Sequence, residues 1–262
     1  MDRRGLTMAR FAATAALYEE LRPPYPPAFF REVAQQLRLT HAHALIDLGT
    51  GPGLLALGFS PHVGRIVGVD PEPAMIAAAR EAASRASAAL TLIESKTEEL
   101  SGDIGSFDVV TIGRALHWMD REATLARFDT LVAPDGMILV CSSHSAADAN
   151  PWLDEYNQAR RAWSDASLWS EAGSGARVHR DLAAFFRGSP FHVADAIEVE
   201  TSHDISVRDL ARRVLTFSSS SPAVLGDRTD AMLGDVEKRL FPFSREGVVT
   251  EVIVSVAQVA KR

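Results

Sequence analysis

Five short apolar runs constrain this chain more than any other feature: ALIDL (44–48), RIVGV (65–69), LTLIE (90–94), FDVVTI (107–112) and MILVC (137–141). Near-continuous runs of this length suit parallel strands covered on both faces, because neither side of the pleat then meets water. Between them, PEPAMIAAAREAASRAS and DREATLARFDTLV space their apolar residues as helices packed on a sheet do. The alternation predicts a doubly wound, mostly parallel α/β sheet. Residues 1–43 read as helical apart from RPPYPP, whose prolines oppose a regular helix. Within 143–245, NPWLDEYNQARRAW and SVRDLARRVLTF read as helices, HVADAIEVET as a strand and FSSSSP as a helix terminus or turn. The last stretch, 246–262, returns to strand character in VVTEVIVSVAQVAKR and can close the sheet. The expected division is therefore 1–43, 44–142, 143–245 and 246–262.

Composition narrows the partners. The chain has 262 residues, 47% hydrophobic and 23% charged, as ordinary globular proteins do. A net charge of −7 with scattered Lys and Arg argues against a nucleic-acid surface and leaves small molecules as the expected partners, the protein itself being a monomer or homodimer. A single cysteine, Cys141, excludes an internal disulfide framework and a cysteine-based zinc site, and fits a reducing compartment. No His and carboxylate spacing suggests a metal. His41 and His43 read as surface residues at the far end of the sheet. The basic start resembles a signal peptide, but Arg10 interrupts it and the apolar run that follows is short. No run approaches the roughly 18 apolar residues that a bilayer demands, so the expectation is a cytoplasmic protein without a membrane segment.

The first run leads straight into glycines: LIDLGTGPG places Gly49, Gly51 and Gly53 behind a strand. A dinucleotide loop needs its third glycine at the sixth position, which here is Leu54. Asp47, two residues before the first glycine, would add negative charge beside a pyrophosphate. That charge favours a cofactor with a cationic end.

LIDLGTGPG followed by RIVGVDPEPAMIAAAR resembles the class I S-adenosylmethionine-dependent methyltransferases. LRPPYP near the start and HWMD after the fourth run are similar to the small-molecule branch that includes trans-aconitate methyltransferase-like proteins. The resemblance covers most of the chain and implies a Rossmann-like, seven-stranded sheet with a helical lid at 1–43, a cofactor-binding core at 44–142, a substrate-covering region at 143–245 and a final strand at 246–262. It implies that Gly49, Thr50, Gly51 and Gly53 wrap the methionine portion of S-adenosylmethionine and that Asp47 helps hold its ammonium. Asp70 and Pro71 end the second strand, where a carboxylate can accept from both ribose hydroxyls; the simpler alternative is a helix cap. Met75 lies against the adenine in such proteins, although methionine at that spacing is also ordinary core. The family usually has an acidic residue after the third strand, where this chain has Lys96, so Thr97 or Glu98 is the expected adenine reader.

The fourth run is followed by GRALHWMDREA, which places Gly113 and Arg114 beside the cofactor and His117 and Trp118 towards the methyl group. His117 is the expected general base or acceptor-orienting group, since its unperturbed pKa of about 6.5 suits proton removal near neutrality. Its alternative is packing at the helix start. Trp118 is either a cavity wall or core, and Asp120 is most simply the N-cap of the helix that follows. In the N-terminal segment, Tyr18, Arg22 and Tyr25 are expected to close over the site, Arg22 by meeting the cofactor carboxylate. A surface pairing of Arg22 with Glu19 and Glu20 is the alternative. His144 is a further candidate at the acceptor site, or a loop residue. Trp152, Trp163, Trp169, Phe185, Phe186, Phe217 and Phe241 supply either an apolar pocket or core.

The expected reaction is methyl transfer to an oxygen, nitrogen or carbon of a small organic molecule, a natural-product intermediate first and an aconitate-like carboxylic acid second. A cofactor-binding partner protein without activity is the rival, and a nicotinamide enzyme is disfavoured by Leu54.

Overall fold

The computed structural model describes residues 21–165 and 181–262. Their residues form two compact units. One, the sheet unit, is drawn from residues 25–142, 181–199 and 255–262; the other, the helical unit, from residues 21–24, 143–165 and 200–254.

The seven strands are β1 (Ala44–Leu48), β2 (Arg65–Asp70), β3 (Thr91–Glu94), β4 (Phe107–Gly113), β5 (Val132–Ser145), β6 (His192–Ser206) and β7 (Val248–Lys261). They form one sheet in the order β3-β2-β1-β4-β5-β7-β6, and the four pairings from β3 to β5 are parallel. Successive residues alternate between two covered faces, which is why these runs read as continuously apolar. Ile46 and Val110 enter one core with Phe107 and Phe128, whereas Leu45 and Val109 enter the other with Phe29, Phe30 and Phe59. The helices of this unit are α1 (Pro27–Gln36), α2 (Leu54–Phe59), α3 (Pro73–Arg85), α4 (Arg121–Leu131) and α6 (Leu182–Phe186), with α5 (Leu153–Trp163) falling in the helical unit.

Strand β5 is longer than its apolar run. Phe107 pairs with Val132 and Val109 with Met137, so the register breaks around residues 133–136. A Cβ on Gly136 would come within 3.0 Å of the Ala133 nitrogen and the Phe107 oxygen, and a larger residue would disturb this break.

In the helical unit, α5 packs with α7 (Val207–Arg213) and α9 (Thr229–Leu240), and α8 (Pro222–Leu225) lies between the last two in sequence. Trp152 at the N-cap of α5, Tyr156 and Ala159 of α5, Leu210 and Ala211 of α7, and Met232, Val236 and Leu240 of α9 share one core. Among the described residues no helix is long and apolar enough to cross a membrane, and no group of three or more His, Cys, Asp or Glu is arranged to hold a metal ion.

Candidate active site

Strand β1 lies between β2 and β4, so the winding direction of the sheet reverses beside it. In open α/β sheets the crevice at the carboxyl ends of the strands flanking such a point binds ligands. Leaving β1, the chain turns through Gly49, Gly51 and Gly53, all at positive φ (69°, 54° and 88°). Gly49 is required twice: its φ disfavours a side chain, and a Cβ there would overlap that of Ala115 in the loop after β4.

Asp47 is 1% exposed. Its Oδ2 accepts the Thr50 hydroxyl at 2.7 Å and its Oδ1 accepts the Thr111 hydroxyl of β4 at 2.7 Å. The carboxylate thus ties the glycine loop to the two strands that flank the switch. Burial pushes its pKa from 3.8 to about 6, against the lowering effect of those hydroxyls.

Asp70 joins the same loop from β2. Its Oδ2 accepts the Gly51 N–H at 2.9 Å and its Oδ1 the Glu72 N–H at 3.0 Å, while the Thr50 N–H donates to Val69 O at 2.9 Å. Burial raises the Asp70 pKa, opposed by those two backbone donors. The helix-cap alternative fails here, because Glu72 is the residue at the N-cap of α3. Pro71 is exposed beside it, and Met75 is buried in the first turn of α3.

Beyond β3, Thr97 is buried in a short 3-10 turn. The Glu98 Oε1 accepts the Asp120 N–H at 2.8 Å, which draws this carboxylate towards the start of α4. Lys96 and Glu99 pair with each other at the surface. Asp120 caps α4, accepting the Ala123 N–H at 2.9 Å, as its place in the sequence suggests.

After β4, Gly113 leads to Arg114, a non-glycine residue at φ 58°. Left-handed backbone at a bulky residue is uncommon and is found where surrounding structure imposes it. The Arg114 guanidinium lies 5.1 Å from the ring centre of Tyr25, which packs on Phe29 at 5.4 Å. His117 is half-buried in the 3-10 turn Leu116–Trp118, with its ring 4.7 Å from that of Trp118. Trp118 is 53% exposed, which removes the core alternative for it.

Other candidates belong to the helical unit. Arg22 donates from Nη2 to Thr216 O at 2.9 Å, and its guanidinium lies 4.0 Å from the Phe217 ring centre. His144 is exposed near the end of β5. Tyr18 and Trp169 lie outside the described residues, as do Glu19 and Glu20. The described members of the aromatic set divide between separate cores and the surface. Phe185 and Phe186 are buried in the sheet core and Trp152 in the helical core; Trp163 donates to Asp235 at 2.7 Å, and Phe241 is exposed.

Sequence reasoning missed Thr111, although a hydroxyl in an otherwise apolar buried run was a signal. It also missed the buried pair in which Arg213 donates to both carboxylate oxygens of Glu251, at 2.6 and 2.7 Å. There the signal was a carboxylate at an inward position of VVTEVIVSV. Burial works against ionisation of Glu251, but hydrogen bonds from Arg213 and Ser145 hold its pKa below the usual carboxylate range.

Residues 45–136 match the family described as Methyltransferase domain. An uncharacterized methyltransferase of Mycobacterium tuberculosis is 30% identical over 137 residues, 52% of this chain and 53% of that protein. The chain thus spans about half the length of the mycobacterial relatives it matches. A second uncharacterized methyltransferase, from Schizosaccharomyces pombe, is 21% identical over 88% of each chain. Among solved structures, an S-adenosylmethionine-dependent methyltransferase from Geobacter sulfurreducens, in complex with S-adenosyl-L-homocysteine, superposes with a TM-score of 0.56. It shares 18% identity over 95% of this chain and 97% of that one, a likeness of fold.

Proposed function

We propose, for a chain that carries a methyltransferase domain at residues 45–136 on the class I methyltransferase fold, that it transfers a methyl group from S-adenosylmethionine to an oxygen, nitrogen or carbon of a small organic acceptor. The observation that carries this reading is the Asp70 carboxylate, bonded to the Gly51 N–H at the switch between β1 and β4. Each of its oxygens accepts one backbone N–H, and each has a second lone pair with which to accept a ribose hydroxyl. Gly51 supports the same fit, because a Cβ there would meet no protein atom within 4 Å and the bare backbone leaves that space open to a ligand.

The bound cofactor supplies a methyl group on a positively charged sulfur. Gly49 to Gly53 would cradle its amino-acid portion, with the Asp47 carboxylate behind the loop favouring the cationic end. Asp70 would hold the ribose, Met75 would pack on the adenine, and Thr97 and Glu98 would read its edge. Gly113 and Arg114 would border the same crevice from β4. Methyl transfer is an in-line displacement, so positioning the acceptor provides much of the catalysis. His117 would orient the acceptor and take its proton where it has one. A natural-product intermediate is the acceptor expected from the sequence resemblance.

The test is calorimetric titration of the protein with S-adenosylmethionine, S-adenosylhomocysteine and NADH, repeated on Asp70→Ala. Micromolar binding of the two sulfur compounds alone, weakened at least about tenfold by the substitution, is the expected result, since hydrogen bonds to a charged group are worth about 1.5–3 kcal/mol. Absence of binding would end the reading. With an acceptor in hand, His117→Asn should leave homocysteine-cofactor affinity intact and slow turnover about a hundredfold or more; turnover within threefold of wild type would reduce His117 to packing.

A further inference from the structure

Strand β4 is apolar wherever it is buried, with one exception: Thr111, which is 0% exposed. Its register partner on β1 is Asp47. By the alternation of strand side chains, both point to the face on which Leu45 and Val109 lie, and there the core continues through Leu139 and Cys141. Valine has nearly the shape of threonine, suits a strand as well, and avoids the cost of taking a hydroxyl out of water. What the hydroxyl adds at position 111 is its bond to Asp47 Oδ1 at 2.7 Å.

That bond completes a latch. On the other side of β1, Gly68 of β2 stands in register with Asp47. A Cβ at position 68 would come within 3.0 Å of Thr50 Oγ1 and 3.1 Å of Thr50 Cγ2, so the bare backbone leaves room for the side chain that donates to Asp47 Oδ2. The carboxylate is thus gripped at one oxygen by β4 and at the other by the glycine loop. Two titratable groups act on it or feel it from the neighbouring strands. Asp70, at the end of β2, opposes its ionisation; Cys141 of β5 has its thiol pushed up by burial and by the Asp47 charge, and stays protonated. Against burial and Asp70 stand the hydroxyls of Thr50 and Thr111 and a backbone hydrogen bond from Ala56 of α2, all of which favour the anion.

We propose that Thr111 is a positioning residue of the cofactor site, fixing the Asp47 carboxylate so that it holds the glycine loop through Thr50 and keeps a negative charge behind that loop for the cofactor's cationic end. Every residue in this chain of contacts belongs to the sheet unit. The proposal rests on the methyltransferase reading and adds to it a residue that acts on the cofactor through Asp47.

The experiment measures S-adenosylhomocysteine affinity by calorimetry between pH 5 and 8.5 for wild type, Thr111→Val and Thr111→Ser. In wild type the affinity should fall as pH drops through about 6, where Asp47 takes up its proton. Removing a donor to the anion raises that point. In Thr111→Val the fall should therefore set in about one pH unit higher, since a hydrogen bond to a charged group is worth at least about tenfold in ionisation. Such a displacement makes the variant about fivefold weaker than wild type at pH 6 and leaves it within about twofold at pH 8.5. Thr111→Ser keeps the hydroxyl and should follow the wild-type profile. Asp70, whose pKa burial also raises, is the same in all three proteins, so a displacement between profiles belongs to Asp47. Thr111→Ala takes the place of the valine variant if that protein does not melt cooperatively. A variant weakened equally at pH 6 and 8.5 would make Thr111 a packing residue, and a midpoint that stays with wild type would remove its effect on Asp47; either result overturns the proposal, as does a serine variant that behaves like the valine one. Wild type that fails to bind S-adenosylhomocysteine at any pH would overturn the methyltransferase reading together with the proposal.

Discussion

Replacing Asp47 with Asn should make the protein more stable at pH 8 and leave it nearly unchanged at pH 4.5. In the folded state the pKa of this carboxyl stands near 6 against the ordinary 3.8, chiefly through burial, with the neighbouring charge of Asp70 adding to the rise. The folded protein therefore holds this proton more tightly than the unfolded chain does. Stability from the group is fully present below about pH 4 and is lost as pH rises through about 6. A shift of about two units corresponds to about 3 kcal/mol, because each unit is 1.36 kcal/mol. Asn is neutral at every pH and escapes that loss, although its amide presents a donor to Thr50 or Thr111 and one hydroxyl must turn to accept. Allowing about 1 kcal/mol for the rearranged hydrogen bond leaves a gain of about 2 kcal/mol at pH 8. For a chain of this size that is a rise in melting temperature of about 4–8 °C. Thermal melts of both proteins at pH 4.5, 6 and 8, at one ionic strength, would read it. A difference that is the same at pH 4.5 and 8, or a variant less stable at pH 8, would refute the argument. The same substitution should weaken S-adenosylmethionine, because the charge behind the glycine loop would be gone. A stability cost at this position would then be part of the cofactor site.

Gly49→Ala forces a side chain into left-handed backbone and against Ala115, and should destabilise by about 2–4 kcal/mol while abolishing cofactor binding; an unaltered urea midpoint would show that the loop relaxes freely. Glu251→Gln leaves Arg213 buried at 3% exposure without its counter-charge, and should cost about 3–5 kcal/mol in chemical denaturation. Adding Arg213→Met to that variant should recover most of the loss, since a buried pair replaced by apolar side chains is often neutral; a double variant as unstable as the single one would place the cost elsewhere.

The strands of the sheet unit were legible because a run buried on both faces leaves a local trace. ALIDL matches β1 residue for residue, and RIVGV and FDVVTI each fall one residue short of their strands. The glycine loop was legible for a similar reason: positive φ is a property of single residues, and Gly49, Gly51 and Gly53 meet it where they stand. Asp120 could be read as a helix cap because its partner, the Ala123 N–H, is three residues away. What the tertiary structure alone decided involves partners far apart in the chain. The Asp47–Thr111 bond spans 64 residues, and nothing within either segment specifies that β4 lies beside β1. Local pattern likewise could not sort Phe185 and Phe186 into the core, because an aromatic side chain has the same spacing whether it lines a pocket or fills one. The hydroxyls of Tyr156 and Ser221, buried without a hydrogen-bond partner among the described residues, are the limiting case. Whether a hydroxyl finds a partner depends on every element packed around it, so only the assembled fold could leave these two without one.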